Sequence, residues 1–194
     1  MTQTTTKQRW NDGIELLLYI ICVISFIVFA VKGNVGKCFQ AVLIVVTLLL
    51  LRGLIIWTKS ELPAALRFSI LLFIALTMMV ANMFSMYGFI PYLDKIEHLL
   101  SGVILAFVGM YLYSRLIKSH ESPGMPAHKL GIWFSLWFAI AMAGVWEIYE
   151  FTVDHLFGLN SQNGSLTDTM LDMICGTIGA IIAALYLRFT FRKK

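Results

Sequence analysis

Charge is scarce in this chain. Only 13% of its 194 residues are Asp, Glu, Lys or Arg, about half the ~25% of an ordinary soluble domain. Hydrophobic residues make up 59% of the sequence, and the mean hydropathy is +0.80. That balance excludes a soluble domain of any size. Cysteine is also sparse: Cys22, Cys38 and Cys175 are odd in number, and their spacings match no disulfide or zinc framework. They read as small apolar packing residues, although Cys175, three residues past Asp172, could face the same site as that carboxylate. The formal charge of +4 invites a nucleic-acid partner. The basic residues sit at the ends of apolar runs, however, where membrane orientation signals belong, so nucleic acid is excluded.

What the chain has instead is long apolar runs. Six stand out: Ile14–Val31, Phe39–Trp57, Ala64–Tyr87, Ile96–Ile117, Leu130–Phe151 and Thr169–Phe189. Each approaches the ~20 residues that cross ~30 Å of hydrocarbon. The expected fold is all-α, a polytopic integral membrane protein with six transmembrane helices. It reads as a single transmembrane domain over residues 1–194, with spans 1–3 (residues 1–90) as scaffold and spans 4–6 (residues 91–194) bearing the motifs. Met1–Trp10 is short and polar. The run that follows is too long for a signal-peptide core and has no small-residue cleavage site, so it reads as the first permanent span.

Lys and Arg sort between the two sides. With six spans, twelve of the fifteen fall on the side that holds both termini, leaving Lys32, Lys37 and Lys95 on the other. The positive-inside rule then places both termini in the cytoplasm. The carboxylates run the other way. Seven of eleven, namely Asp94, Glu97, Glu147, Glu150, Asp154, Asp168 and Asp172, gather at the outer ends of spans 4, 5 and 6. Glu121 belongs to the cytoplasmic four. Gly102 and Ala106 on span 4, and Gly176, Gly179, Ala180 and Ala183 on span 6, mark close helix contacts.

Three patterns carry the chemistry. Asp94-Lys95-Ile96-Glu97-His98 opens span 4, Trp146-Glu147-Ile148-Tyr149-Glu150 with Asp154 closes span 5, and Asp168-Thr169-Met170-Leu171-Asp172 opens span 6. Asp94 and His98 are i,i+4, as are Asp168 and Asp172; Glu147, Glu150 and Asp154 are i, i+3, i+7. Each set therefore lies on one helix face. Counting ~1.5 Å per residue from the cytoplasmic anchors Arg115, Lys129 and Arg188 brings His98, Glu147 and Asp172 to within about one turn of the outer boundary.

Part of this cluster has a structural explanation. Asp94 with Glu97, and Ser165 with Asp168, read as N-cap devices for spans 4 and 6, where a helix start also favours negative charge. Glu147, Glu150 and Asp154 lack that explanation. They close span 5, where the helix dipole opposes anions, and an intramembrane acid costs a few kcal/mol. A bound cation, shared protons or basic side chains must compensate. Lys95, His98 and His155 are the local basic candidates, and seven carboxylates outnumber them. His98, Glu147, Glu150 and Asp172 form the expected ligand set for a divalent cation, with Asp94, Lys95, Asp154 and Asp168 as supporting or capping groups. Imidazole with carboxylates suits Zn²⁺, Mn²⁺ or Fe²⁺, and carboxylate alone suits Mg²⁺. Structural ion pairing is the rival explanation. Trp146, Tyr149, Phe151, Tyr87 and Tyr92 read as interface anchors, and Asn160, Gln162, Asn163 and Gly164 as a polar loop over the site.

Familiar catalytic signatures are missing: there is no HExxH, no GxSxG and no Gly-rich phosphate loop. Asp168 and Asp172 match only the end of the CDP-alcohol phosphotransferase signature, whose earlier aspartates are absent. The three patterns together resemble the bacterial inner-membrane proteins typified by YjdF. In that type, Asp-Lys-x-x-His (Asp94, Lys95, His98) is followed by Trp-Glu-x-x-Glu (Trp146, Glu147, Glu150). A Gly/Gln loop (Gly158, Gln162) then leads to Asp-Thr-x-x-Asp-Met (Asp168, Thr169, Asp172, Met173) and Gly-Ala (Gly179, Ala180). The match runs from Asp94 to Ala180. A looser likeness links the chain to VanZ-like proteins, which share the Asp-Lys-x-x-His pattern (Asp94, Lys95, His98) but whose Glu-x-x-Gln reads Glu147-x-x-Glu150 here. The resemblance implies a multi-pass protein of the bacterial cytoplasmic membrane with a polar site, and no particular reaction.

The leading functional expectation is a carboxylate/His site at the outer membrane face that binds a divalent cation and a polar or lipid headgroup. Were it an enzyme, metal-assisted hydrolysis or transfer on a lipid is the natural class, with Glu147 or Glu150 as general base. The alternatives are a non-catalytic membrane assembly or envelope-stress protein whose acids only pair, and a proton- or cation-coupled transporter.

Overall fold

The computed structural model describes residues 6–59, 61–118, 127–158, 161, 162 and 164–192. Glu121, Asn160, Asn163, Lys193 and Lys194 lie outside the described residues. Among the described residues the chain is helical throughout, with no strand. The helices are α1 (Thr6–Val31), α2 (Val35–Trp57), α3 (Ala64–Ile74), α4 (Leu93–Lys118), α5 (Ala127–Phe157) and α6 (Leu166–Arg192). α3 continues as a π-helical segment, Ala75–Met83, followed by a 3₁₀ turn at Met86–Gly88. Counting α3 with its π segment as one, six described helices are long and apolar enough to cross a membrane.

Helix ends extend past the apolar runs. α5, for instance, runs on to Phe157 and so includes Asp154. Between α1 and α2, Gly33 at φ 69° reverses the chain, and the Asn34 side chain caps α2 by accepting from Lys37 N at 3.1 Å. The third span departs most from expectation. Its final turns are π-helical, with Phe84 N donating to Met79 O at 2.9 Å, and no Gly or Pro announces the change. π geometry is uncommon in proteins and leaves little compositional trace.

The fold divides into two compact units, Met1–Pro91 and Tyr92–Lys194. In the first, Cys22, Ala41, Ile44, Leu48, Leu71, Met79 and Met83 form the apolar core. One end of its helices carries an ion-pair cluster. Arg67 Nη2 of α3 donates to Asp12 Oδ1 at 2.7 Å and to Glu15 Oε2 at 2.6 Å, both on α1. Arg52 Nη1 of α2 lies 3.1 Å from Glu15 Oε1. Asn11 Nδ2 donates to the Ala64 carbonyl at 2.8 Å and fixes the start of α3 against α1. Glu15 is buried, and two arginines meet its two oxygens, as burial of a carboxylate requires. At the other end of these helices, Lys37 Nζ donates to Asn82 O and Ser85 Oγ, each at 2.6 Å.

The second unit positions the site. α4 and α6 approach until backbone meets backbone. A Cβ on Gly102 would collide with the Gly176 carbonyl oxygen, and one on Gly179 with the Leu99 carbonyl oxygen. The small residues expected at these contacts are therefore required by the approach itself. Ala106, Ala139, Ala180 and Ala183 complete the core where α5 joins the pair. This packing brings the N-terminal ends of α4 and α6 beside the C-terminal end of α5.

Candidate functional site

Each of the three helix ends delivers its polar residues by local geometry. Tyr92, at φ 59°, turns the chain into α4, and Ile96 N donates to Tyr92 O at 3.1 Å. Asp94 therefore stands inside the first turn rather than at the expected N-cap. Its carboxylate is engaged elsewhere, with Oδ2 3.0 Å from Lys95 Nζ and Oδ1 3.6 Å from His98 Nε2. α6 opens with a cap, since Asp168 N donates to Ser165 Oγ at 3.3 Å. The i,i+4 step then points Asp168 and Asp172 to one side.

The structure brings His98, Asp94 and Asp172 together. His98 Nε2 is 3.6 Å from Asp172 Oδ1, the same separation as from Asp94 Oδ1. One ligand atom from each of these residues can be chosen so that all lie within 4.8 Å of one another, and the group could hold a metal ion. Neither 3.6 Å contact is a hydrogen bond. Ligand atoms sharing a tetrahedral ion at ~2.0–2.2 Å stand about 3.3–3.6 Å apart, so the spacing suits atoms gathered around a small cation.

Glu147 lies behind the imidazole. Its Oε1 is 4.0 Å from His98 Nδ1 and, among the described residues, has no hydrogen-bond donor, although Glu147 is only 5% exposed. A buried carboxylate oxygen without a donor is costly. Its position matches a carboxylate that takes the second ring N–H of a metal-bound histidine. Glu147 Oε2 receives a long contact from Gln162 Nε2 at 3.5 Å, and the same amide donates to the Glu147 carbonyl at 3.3 Å. The segment after α5 is held in this position by Asp154, which accepts from Ser161 N at 2.8 Å and Gln162 N at 3.0 Å. Asp154 is thus a loop anchor rather than a member of the His98 group. Glu150 also stands apart, with its Oε1 accepting from the Trp146 indole N–H at 2.9 Å. Of the four ligands expected from sequence, His98, Glu147 and Asp172 converge, Glu150 does not join them, and Asp94 takes the place beside His98.

Lys95 is the cation that the structure itself supplies. Its Nζ lies 3.0 Å from Asp94 Oδ2, 2.5 Å from Asp168 Oδ1 and 2.7 Å from Asp172 Oδ1. One ammonium thus serves three carboxylates, while Glu97 and Glu147 are buried nearby on the same helix ends. Sequence spacing placed Lys95 at the site but not astride α4 and α6. Gln162 belongs to the polar loop expected over the site, and its amide reaches Glu147. The Asp12–Glu15–Arg52–Arg67 cluster was not anticipated; its one sequence signal is the Asp12/Glu15 i,i+3 pair, matched by arginines flanking the α2–α3 loop.

The chain matches the family described as "Predicted membrane protein (DUF2238)" over residues 14–193. It belongs to that family. The resemblance to the YjdF type is consistent with this membership. The DUF2238 chain is also similar to an uncharacterized protein of Thermotoga maritima, 28% identical over 144 residues, which covers 71% of this chain and 67% of the relative. No solved structure matches it. Six long apolar helices and the family together establish a multi-pass membrane protein with a buried acidic and histidine cluster.

Proposed function

We propose that this DUF2238 protein binds a divalent cation through His98, Asp94 and Asp172, and that the bound cation receives a polar or lipid headgroup at the membrane boundary. The observation that carries this reading is the pair of 3.6 Å separations from His98 Nε2 to the two aspartates, with the buried, donor-free Glu147 Oε1 on the other side of the ring. Imidazole with two carboxylates suits Zn²⁺, Mn²⁺ or Fe²⁺ more than Mg²⁺, which favours an all-oxygen shell. The skew of Lys and Arg supports a bacterial cytoplasmic-membrane protein with cytoplasmic termini and the site at the outer face. If the cation serves catalysis, it would polarise a headgroup ester or activate water. Glu147 would then support His98 from the Nδ1 side of the ring, and Glu150 is held by Trp146. Kinship with VanZ-like proteins rests on Asp94, Lys95 and His98 alone.

Metal analysis of the purified chain tests the reading. It predicts a bound divalent ion in wild type that is lost in His98→Ala and Asp172→Asn.

A second reading has its own observation. Lys95 already pairs with Asp94, Asp168 and Asp172, which supports a purely structural lock between α4 and α6 in an assembly or envelope protein. That reading predicts that Glu147→Gln and Asp172→Asn change stability alone, with no ligand lost. Coupled transport has less support, because the carboxylates of α4–α6 among the described residues all lie at this one end.

A further inference from the structure

Lys95 stands in an unusual relation to the proposed cation site, and the role inferred for it rests on that reading. Two of its three carboxylate partners, Asp94 and Asp172, are also candidate ligands. With Asp172 the overlap reaches a single atom: Oδ1 lies 2.7 Å from Lys95 Nζ and 3.6 Å from His98 Nε2. An ion bound at that oxygen, at ~2.0–2.2 Å, would face the ammonium across one atom, and two cations so close repel strongly. The third partner, Asp168, lies outside the candidate ligand group and is 2.5 Å from Nζ. It can keep the lysine after Asp172 is given up.

We infer that Lys95 is a tethered competitor for the cation, and that this competition makes the site selective for divalent over monovalent ions. A monovalent ion entering the site would replace one positive charge with another. The ammonium it displaces is covalently attached, so it is present at high effective concentration, and it already has three oxygens within 3.0 Å. A divalent ion brings one further charge to the same oxygens and meets the imidazole, which an alkali ion gains little from. Lys95 therefore excludes Na⁺ and K⁺ while leaving divalent binding possible at reduced affinity. It also lets the cation-free state keep buried Asp172 paired, as a carboxylate at membrane depth requires.

The test is Mn²⁺ titration of the detergent-purified full chain as wild type, Lys95→Met and Lys95→Arg, each with and without excess K⁺. The inference predicts that Lys95→Met binds Mn²⁺ about tenfold or more tightly than wild type and becomes sensitive to K⁺, while Lys95→Arg behaves as wild type. Acylation of Lys95 in the wild-type protein, followed by mass spectrometry, gives a readout that does not depend on the variants folding. Mn²⁺ should speed modification of this residue. Equal or weaker Mn²⁺ binding by Lys95→Met, or a labelling rate that Mn²⁺ leaves unchanged, overturns the inference and leaves the cation site standing. Absence of Mn²⁺ binding in wild type and both variants overturns the site and the inference together.

Discussion

Lys95 Nζ and Asp172 Oδ1 stand 2.7 Å apart and join the first turn of α4 to the second turn of α6. The contact is possible because the two helices touch through glycine. With side chains at Gly102 and Gly179, α4 and α6 would separate and the ammonium could not reach across. Backbone packing and charge compensation are thus one arrangement, and the cation reading depends on both.

Gly179→Val tests the packing. A Cβ there meets the Leu99 carbonyl, which is backbone and cannot rotate aside. We expect a loss of roughly 3 kcal/mol, at the upper end of overpacking costs, measured as a lower thermal midpoint in detergent. A stable Gly179→Val protein would show that α4 and α6 have freedom to separate.

Glu147→Gln tests the carboxylate behind the histidine. Replacing such an outer partner costs ~10–100-fold in metal affinity, so Mn²⁺ or Zn²⁺ should bind more weakly by that range while the helical circular dichroism stays unchanged. A fall in stability with undiminished affinity would favour the structural-lock reading.

Gln162→Leu tests the loop that Asp154 holds over the site. The amide contacts Glu147 through its carbonyl and Oε2. Its removal should lower cation affinity toward the ~10-fold end of the outer-partner range. Asp154→Ala should release the same loop, seen as faster amide exchange at Ser161 and Gln162, whose N–H groups donate to Asp154. Protection unchanged in Asp154→Ala would show that the loop is held by other contacts.

Arg67→Ala tests the first unit. Arg67 donates to buried Glu15 and to Asp12, and Arg52 still reaches Glu15 when Arg67 is gone. That residual partner limits the loss to about 2–3 kcal/mol, below the full cost of an unpaired buried charge. Thermal unfolding should register it, and metal content should stay at the wild-type level.

The spans were legible because a stretch of ~20 apolar residues has few other uses, and the meeting of His98, Glu147 and Asp172 followed from i,i+4 faces placed at a common depth. Less could be read where the outcome depended on a neighbour. Asp94 carries the signature of an N-cap with Glu97, yet Tyr92 turns the chain two residues earlier and frees that carboxylate for His98 and Lys95. Glu150 shares a helix face with Glu147, but the indole one turn before it claims its oxygen. The π segment at Ala75–Met83 contains no breaker residue. The Arg67 cluster joins residues more than fifty positions apart, which periodicity within one helix does not report.

Metal content of the purified full-length protein, compared between wild type and His98→Ala, is the most direct measurement of the central claim. A cation held by His98, Asp94 and Asp172 predicts a near-stoichiometric divalent ion in wild type after extensive dialysis against Mn²⁺ or Zn²⁺ and its loss in His98→Ala, with both proteins equally helical. Wild-type protein that retains no divalent ion, or His98→Ala protein that retains as much as wild type, would contradict it.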